Sequence, residues 1–167
     1  MKKIVICLAL LIAFPILTNA GADEHFKFKG LYVGMSAAQV KSLGIKVCKK
    51  PNYPVYDEEC SPEPGNKTFA TIGAVPIVKM QVAIEKGRVT MIYIETPGSF
   101  WDELSSAMKK QYGNPTEISR KGLSYRWDKT LEFLSADVQN GKTVIVFAID
   151  TTSVREKERV KKAPKDF

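Results

Sequence analysis

An apolar run near the N-terminus restricts where the remaining chain can be located and to which class of protein it can belong. Residues 4–14 read IVICLALLIAF, follow two lysines, and are succeeded by Pro15 and a group of small residues. A charged start, a short apolar stretch and small residues at a cleavage point are the three parts of a secretory signal peptide. Because the run is shorter than the roughly 20 residues of a membrane span, we predict a signal peptide over residues 1–22. Cleavage after Ala20 or after Ala22 fits the pattern, and we favour Ala22.

The charge of the chain looks different once this leader is set aside. The whole sequence has 25 basic and 18 acidic residues, a formal net charge of +7. Two of the lysines lie in the leader, and the terminal segment 153–167 holds six basic against three acidic residues. Residues 23–152 therefore carry seventeen basic and fifteen acidic side chains, a net charge of +2. We predict one domain over 23–152 and a basic tail over 153–167. A nearly balanced domain that is exported is not expected to bind nucleic acid.

The basic tail allows two interpretations. In the first, it contacts an anionic envelope surface or an acidic partner by charge attraction. The candidate contact residues are Arg155, Lys157, Arg159, Lys161 and Lys162. In the second, the tail is a solvated, partly helical end in which Glu158 and Lys162 have the spacing of a weak ion pair. Its apolar residues, among them Val154 and Val160, are too few for an amphipathic membrane helix.

Two cysteines remain after the leader, Cys48 and Cys60. In an oxidising compartment a disulfide between them is the expected state, and it would close a loop over residues 48–60. A metal site is the alternative, but the neighbouring sequence offers neither a histidine nor a third cysteine as a ligand. We therefore predict a disulfide, and no metal or cofactor.

The predicted disulfide loop is the candidate surface for contact with another protein. It carries the candidate partner-binding residues Tyr53, Tyr56, Lys49 and Lys50. Tyrosines on a stiff loop are favourable anchors because little conformational entropy is lost when they are fixed. The alternative is that one or both tyrosines fold back and cover the base of the loop.

Two helices are predicted from their end residues. Ser36, with Gln39 three positions later, forms a capping box, and Gly44 follows at the expected stop. Ser99, with an acidic residue three positions later, begins the second predicted helix, which ends at Gly113. Residues 49–66 are rich in Pro, Asp, Glu, Gly and Asn taken together and are predicted to be irregular.

Strands follow both helices. The pairs Lys86-Gly87 and Asn140-Gly141 are typical of tight turns in β-hairpins. The segment 143–149 is apolar on both faces, which predicts a central strand. We predict an α+β fold in which an antiparallel β-sheet packs with two helices. The two halves of the sequence also resemble each other. Either the chain contains a duplicated helix-plus-hairpin unit, or two ordinary hairpins match by coincidence. Four aromatic residues follow the periodicity of their elements and are predicted to be core: Tyr93, Trp101, Trp127 and Phe147.

Two motifs resemble a known family. The segment GMSAAQV at residues 34–40, closed by Gly44, resembles the helix start of small periplasmic domains of the SmpA/OmlA (BamE-like) type. The segment YGNP at residues 112–115, followed by Trp127, is similar to a pattern of the wider β-lactamase-inhibitor-protein-like fold group. This sequence departs from the family in lacking a lipidation cysteine at the cleavage point and a proline after Gly44. The resemblance implies the fold more than the function, and its implied roles are enzyme inhibition or support of an outer-membrane assembly.

The sequence offers little for catalysis. His25 is the only histidine, and we expect it on a frayed N-terminus, where it is a poor general base. The adjacent carboxylates Glu58-Glu59 and Asp102-Glu103 do not by themselves face each other across a cleft, as glycoside hydrolysis requires. Phosphate-binding, zinc and calcium motifs are not found in the sequence. We therefore predict a protein without catalytic residues.

The functional expectation is an exported, non-enzymatic protein-binding domain of a bacterial periplasm or extracellular space, of the inhibitor or immunity type. One alternative is an accessory protein of the cell envelope that acts in outer-membrane assembly. Another is a small hydrolase whose site the sequence does not reveal. The expected partner is another protein, with no transmembrane span left after signal removal.

Overall fold

A computed structural model describes residues 25–51 and 56–150. The predicted signal peptide, Tyr53 and the basic tail lie outside these residues. The two α-helices are α1 (Ala37–Ser42) and α2 (Trp101–Tyr112). The strands are β1 (Lys27–Phe28), β2 (Leu31–Tyr32), β3 (Ile45–Lys49), β4 (Glu58–Pro62), β5 (Thr71–Ile72), β6 (Val75–Pro76), β7 (Lys79–Glu85), β8 (Arg88–Pro97), β9 (Glu117–Ser119), β10 (Ser124–Asp128), β11 (Glu132–Gln139) and β12 (Lys142–Ile149).

Eight of these strands form one antiparallel sheet, in the order β3-β4-β7-β8-β12-β11-β10-β9. Each half of the chain contributes four consecutive strands of this sheet. The two sets meet where β8 pairs with β12 along seven residue pairs, and we call this contact the seam. The prediction that residues 143–149 form a central strand is confirmed. The pairs β1–β2 and β5–β6 form two small separate hairpins.

The predicted fold class is wrong. Strands hold 49% of the described residues, and α2 is the one substantial helix, with 12 residues. The first helix has only six residues. The predicted unit of one helix and one hairpin is also wrong, because each helix is followed by four strands of the large sheet. The extra strands escaped prediction because they are short: β4 lies within the region predicted to be irregular, and β9 has three residues.

The helix ends were predicted with mixed success. At α1, the Ser36 side chain accepts a hydrogen bond from the Gln39 amide, and the Gln39 side chain accepts one from the Ser36 amide, which confirms the capping box. Gly44 follows this helix with a φ of 81°, which a glycine adopts without strain. At α2, a 3₁₀ turn over Gly98–Phe100 leads into the helix, and its N-cap, Phe100, makes no capping hydrogen bond. The predicted Ser99 cap is therefore wrong.

The hydrophobic core lies between one face of the sheet and the elements packed on it. Alternate residues of the central strands, among them Ile92, Ile94, Ile145 and Phe147, are buried on this inner face. The ring of Phe28 from β1 lies 6.3 Å from that of Phe147, and Tyr112 of α2 lies 6.1 Å from the same ring. Burial of these apolar surfaces is the main force that holds the layers together.

Candidate functional site

The opposite, outer face of the sheet is a surface that the helices leave uncovered. Among the described residues, buried side chains of α1, α2 and the β1–β2 hairpin belong to the core on the inner face. Many outer-facing residues of the inner strands are exposed or half-buried, and they include Lys79, Gln81, Tyr93, Val144, Val146, Ser135 and Asp137, together with the buried Glu95. Trp101, Trp127 and Phe147 are buried as predicted. The core prediction for Tyr93 is wrong, because Tyr93 lies on this outer face.

Glu95 holds two neighbours in place at the seam. This residue is only 8% exposed, and its carboxylate accepts hydrogen bonds from the Tyr93 hydroxyl at 2.7 Å and from Lys142 Nζ at 2.8 Å. The bond from Lys142, followed by that from Tyr93, lowers the pKa of Glu95, against the effect of burial. Burial, with the nearby carboxylate, raises the pKa of Tyr93 to about 12. At neutral pH, Glu95 is therefore charged and Tyr93 is a protonated donor.

A second side-chain feature of the outer face is a polar depression of about 220 Å³ between β9, β10 and β11. Its polar lining consists of Glu117, Ser119, Ser124, Arg126, Ser135 and Asp137. The Ser124 hydroxyl donates to the Asp137 carboxylate. Arg126 Nε donates to Asp128 at 2.7 Å, and its guanidinium lies 4.3 Å from the Phe133 ring centroid. Of its polar lining residues, Ser124 and Asp137 are hydrogen-bonded to each other, and Arg126 is held by Asp128 and Phe133 beside the depression.

The disulfide prediction is confirmed. Cys48 and Cys60 lie directly opposite each other on β3 and β4 with a Cα–Cα distance of 4.0 Å, and their sulfurs are bonded. The two sulfurs and the Glu58 carboxylate lie within 4.8 Å of one another. Because both sulfurs are held in the disulfide, this cluster lacks the thiolates that would bind a metal.

Three of the four candidate partner-binding residues, Lys49, Lys50 and Tyr56, belong to the described part of the chain. Lys49 and Lys50 are exposed, and Lys49 Nζ lies 3.6 Å from Glu59 Oε1 across the two strands. Tyr56 is half-buried, and its hydroxyl lies 3.8 Å from Met91 Sδ on the outer face. Tyr56 thus packs back onto the sheet and stays partly accessible. Tyr53 and the tail candidates Arg155, Lys157, Arg159, Lys161 and Lys162 lie outside the described residues, so their roles stay predictions.

His25 is not on a frayed end, and that expectation is wrong. Its Nδ1 forms a hydrogen bond with Glu132 Oε1, and its ring stacks on Tyr32 at 5.0 Å. The other Glu132 oxygen accepts a hydrogen bond from the Phe26 amide at 3.0 Å. Glu132 is only 5% exposed, so these bonds satisfy a buried carboxylate and attach the start of the described chain to β11.

Comparisons with known proteins do not assign the chain to a family. No family model matches it, and neither a curated protein nor a solved structure matches it. Within residues 25–51 and 56–150, the helices are too short or too polar to cross a membrane.

Proposed function

We propose that this protein is an exported, non-enzymatic protein-binding domain whose contact surface is the end of the disulfide-linked β3–β4 hairpin. The observation that carries the proposal is the disulfide between directly opposed residues of the two strands. It fixes the separation of the two strands one residue pair before the end of β3. A partner that contacts the strand ends beside the disulfide would therefore have little ordering of β3 and β4 to complete, which favours affinity.

The side chains around the disulfide support contact with a protein. Lys49 and Lys50 are exposed at the end of β3, while Tyr56, which precedes β4, presents a half-buried ring. Aromatic residues that are already held by packing are frequent anchors of protein interfaces. Met91 supports the Tyr56 hydroxyl end, so this ring needs little reordering on binding.

Two further observations support export to a bacterial periplasm or to the outside of the cell. The leader-like pattern of residues 1–22 and the Cys48–Cys60 disulfide both fit an oxidising compartment. The resemblance of residues 34–44 to SmpA/OmlA domains, which are periplasmic, implies the same location and a role in protein binding. A stiff loop suits an inhibitor or immunity-type protein, which blocks an enzyme by filling its cleft.

The test is affinity capture from the native envelope fraction with the disulfide-bonded chain as bait. We expect Tyr53→Ala and Tyr56→Ala each to weaken capture of the partner by about 2 kcal/mol, roughly thirtyfold in affinity. Lys49→Ala combined with Lys50→Ala should weaken it further and reduce its dependence on salt. The matched control is Lys110→Ala with Lys121→Ala, which removes two exposed lysines away from the hairpin.

The outcome also separates the functional classes. A captured hydrolase that loses activity in the complex supports the inhibitor role, whereas capture of an outer-membrane assembly protein supports the accessory role. Capture that is unchanged when both tyrosines and both hairpin lysines are replaced, with the fold intact by circular dichroism, would refute the hairpin as the contact surface.

A further inference from the structure

The outer face carries a pattern of side chains that is complementary to itself. Strand register places its residues in two adjacent rows that run across β7, β8, β12 and β11. The first row, which we call the lysine row, is Lys79, Glu95, Val144 and Asp137. The second, the tyrosine row, is Gln81, Tyr93, Val146 and Ser135. Each row therefore has one residue from each of the four central strands.

A second copy of the chain can be placed against this face by a twofold rotation about an axis parallel to the strands at the seam. Each row of the first copy then faces the same row of the second copy. Rotation about an axis between β8 and β12, in the plane of the face, exchanges β8 with β12 and β7 with β11. Positions along the strands are unchanged, so each row of one copy meets the same row of a second copy in reverse order. Two sheets packed face to face with nearly aligned strands have this geometry, at a separation of about 10 Å.

In this arrangement the facing residues complement one another in charge and in size. In the lysine row, Lys79 of one copy meets Asp137 of the second, and the pair occurs twice because of the symmetry. In the tyrosine row, the large ring of Tyr93 meets the smaller Val146 near the axis. Gln81 meets Ser135 beyond it, and these two side chains can hydrogen-bond. Opposite charges at the periphery with apolar residues near the centre are typical of a specific interface.

Within the two rows, Glu95 is the one charged residue whose opposite position is apolar, since it would face Val144 of the second copy. Its carboxylate already accepts hydrogen bonds from Tyr93 and Lys142 of its own chain. It therefore enters the interface as a paired charge, which avoids the high free-energy cost of burying an unpaired one.

We propose that the outer face binds a second copy of this chain, giving a homodimer with its twofold axis along the β8–β12 seam. The interface is isologous, because the same two rows of residues serve both subunits. This inference goes beyond the proposed function and is tested without any other protein, so either can fail while the other holds.

The test is the oligomeric state of purified residues 23–167, measured by sedimentation equilibrium over a wide range of protein concentration. We expect a dimer that dissociates on dilution. Lys79→Asp and Asp137→Lys each place two pairs of like charges opposite each other, and each should raise the dimer dissociation constant about tenfold or more. The double variant Lys79→Asp/Asp137→Lys reverses both members of the pair and should recover most of the wild-type affinity.

Two further variants serve as a control for the charge change and as a test of the centre of the interface. Lys110→Asp makes the same charge change on an exposed residue of α2 and should leave the dimer unchanged. Val146→Asp places a charge beside the axis and should yield a monomer, with circular dichroism and thermal melting used to confirm that it is folded. A wild-type monomer at every concentration overturns the proposal. A dimer that neither single charge reversal weakens also overturns it. Failure of the double variant to recover the dimer affinity that the single variants lose overturns it as well.

Discussion

Two buried threonines face each other across the seam without hydrogen bonds from their hydroxyls. Thr96 of β8 and Thr143 of β12 are paired in register and are 0% exposed. Neither hydroxyl has a hydrogen-bond partner within the described chain. A buried hydroxyl without a partner loses its hydration and gains nothing in return. The methyl groups and β-branched shape of the two threonines suit a central strand, so the cost falls on the oxygen alone.

Valine at either position should therefore stabilise the protein. Because valine keeps the shape and removes the hydroxyl, we expect Thr96→Val and Thr143→Val each to raise the free energy of unfolding by about 1 kcal/mol, as measured by urea denaturation. Thr90→Val is the matched control, since the Thr90 hydroxyl donates to the Ala83 carbonyl at 3.4 Å, and it should not stabilise. A loss of stability in both seam variants would show that these hydroxyls are satisfied in solution.

At the scale of elements, the two helix starts differ in a way that a matched pair of substitutions can measure. Ser36 caps α1 through a reciprocal pair of hydrogen bonds with Gln39, whereas exposed Ser99 lies in the 3₁₀ turn before α2 and does not cap it. We expect Ser36→Ala to lower the free energy of unfolding by about 1 kcal/mol, and Ser99→Ala to change it by only a few tenths. Equal losses in urea denaturation would contradict this difference.

The elements that the sequence predicts well are those fixed by local chemistry. Lys86 and Gly87 have φ values of 50° and 73°, and Asn140 and Gly141 have 49° and 74°, so both predicted hairpin turns use consecutive left-handed residues. The short strands β4 and β9 depend instead on partners from elsewhere in the sheet. The bond between His25 and Glu132 joins residues 107 positions apart, and no local pattern marks either of them for it.

The outer face was missed for a related reason. Alternation along β8 and β12 shows which residues share a face, but it does not show which face the helices cover. Tyr93 was therefore predicted to be core, although it lies opposite to Ile92 and Ile94 across the strand. Only the sheet order, which brings β8 beside β12, assembles the two rows of residues and the Glu95 cluster.

At the scale of the whole molecule, the seam joins the two sets of four strands into one domain. The core contacts cross it, since Phe28 of the first half packs on Phe147 of the second. The backbone approach is also close: a Cβ on Gly98 would lie 2.9 Å from the Gly141 backbone. On the outer face, Lys142 of β12 donates to Glu95 of β8. Both faces of the seam are thus tied, which favours unfolding as a single unit.

The Glu95 tie makes the stability of the whole domain depend on pH. Its pKa in the folded state is lowered from the ordinary 4.5, so its contribution is present above pH 4.5 and is lost as pH falls through the folded-state pKa. We expect Glu95→Gln to lower the free energy of unfolding by about 1–2 kcal/mol at neutral pH. On acidification this variant should lose less stability than the wild type.

Glu85→Gln, which alters a carboxylate of 43% side-chain exposure beside Lys86, is the control and should follow the wild-type curve. Urea denaturation across the acid range measures all three, and a Glu95→Gln curve parallel to that of the wild type below pH 4.5 would show that this tie does not set the acid sensitivity.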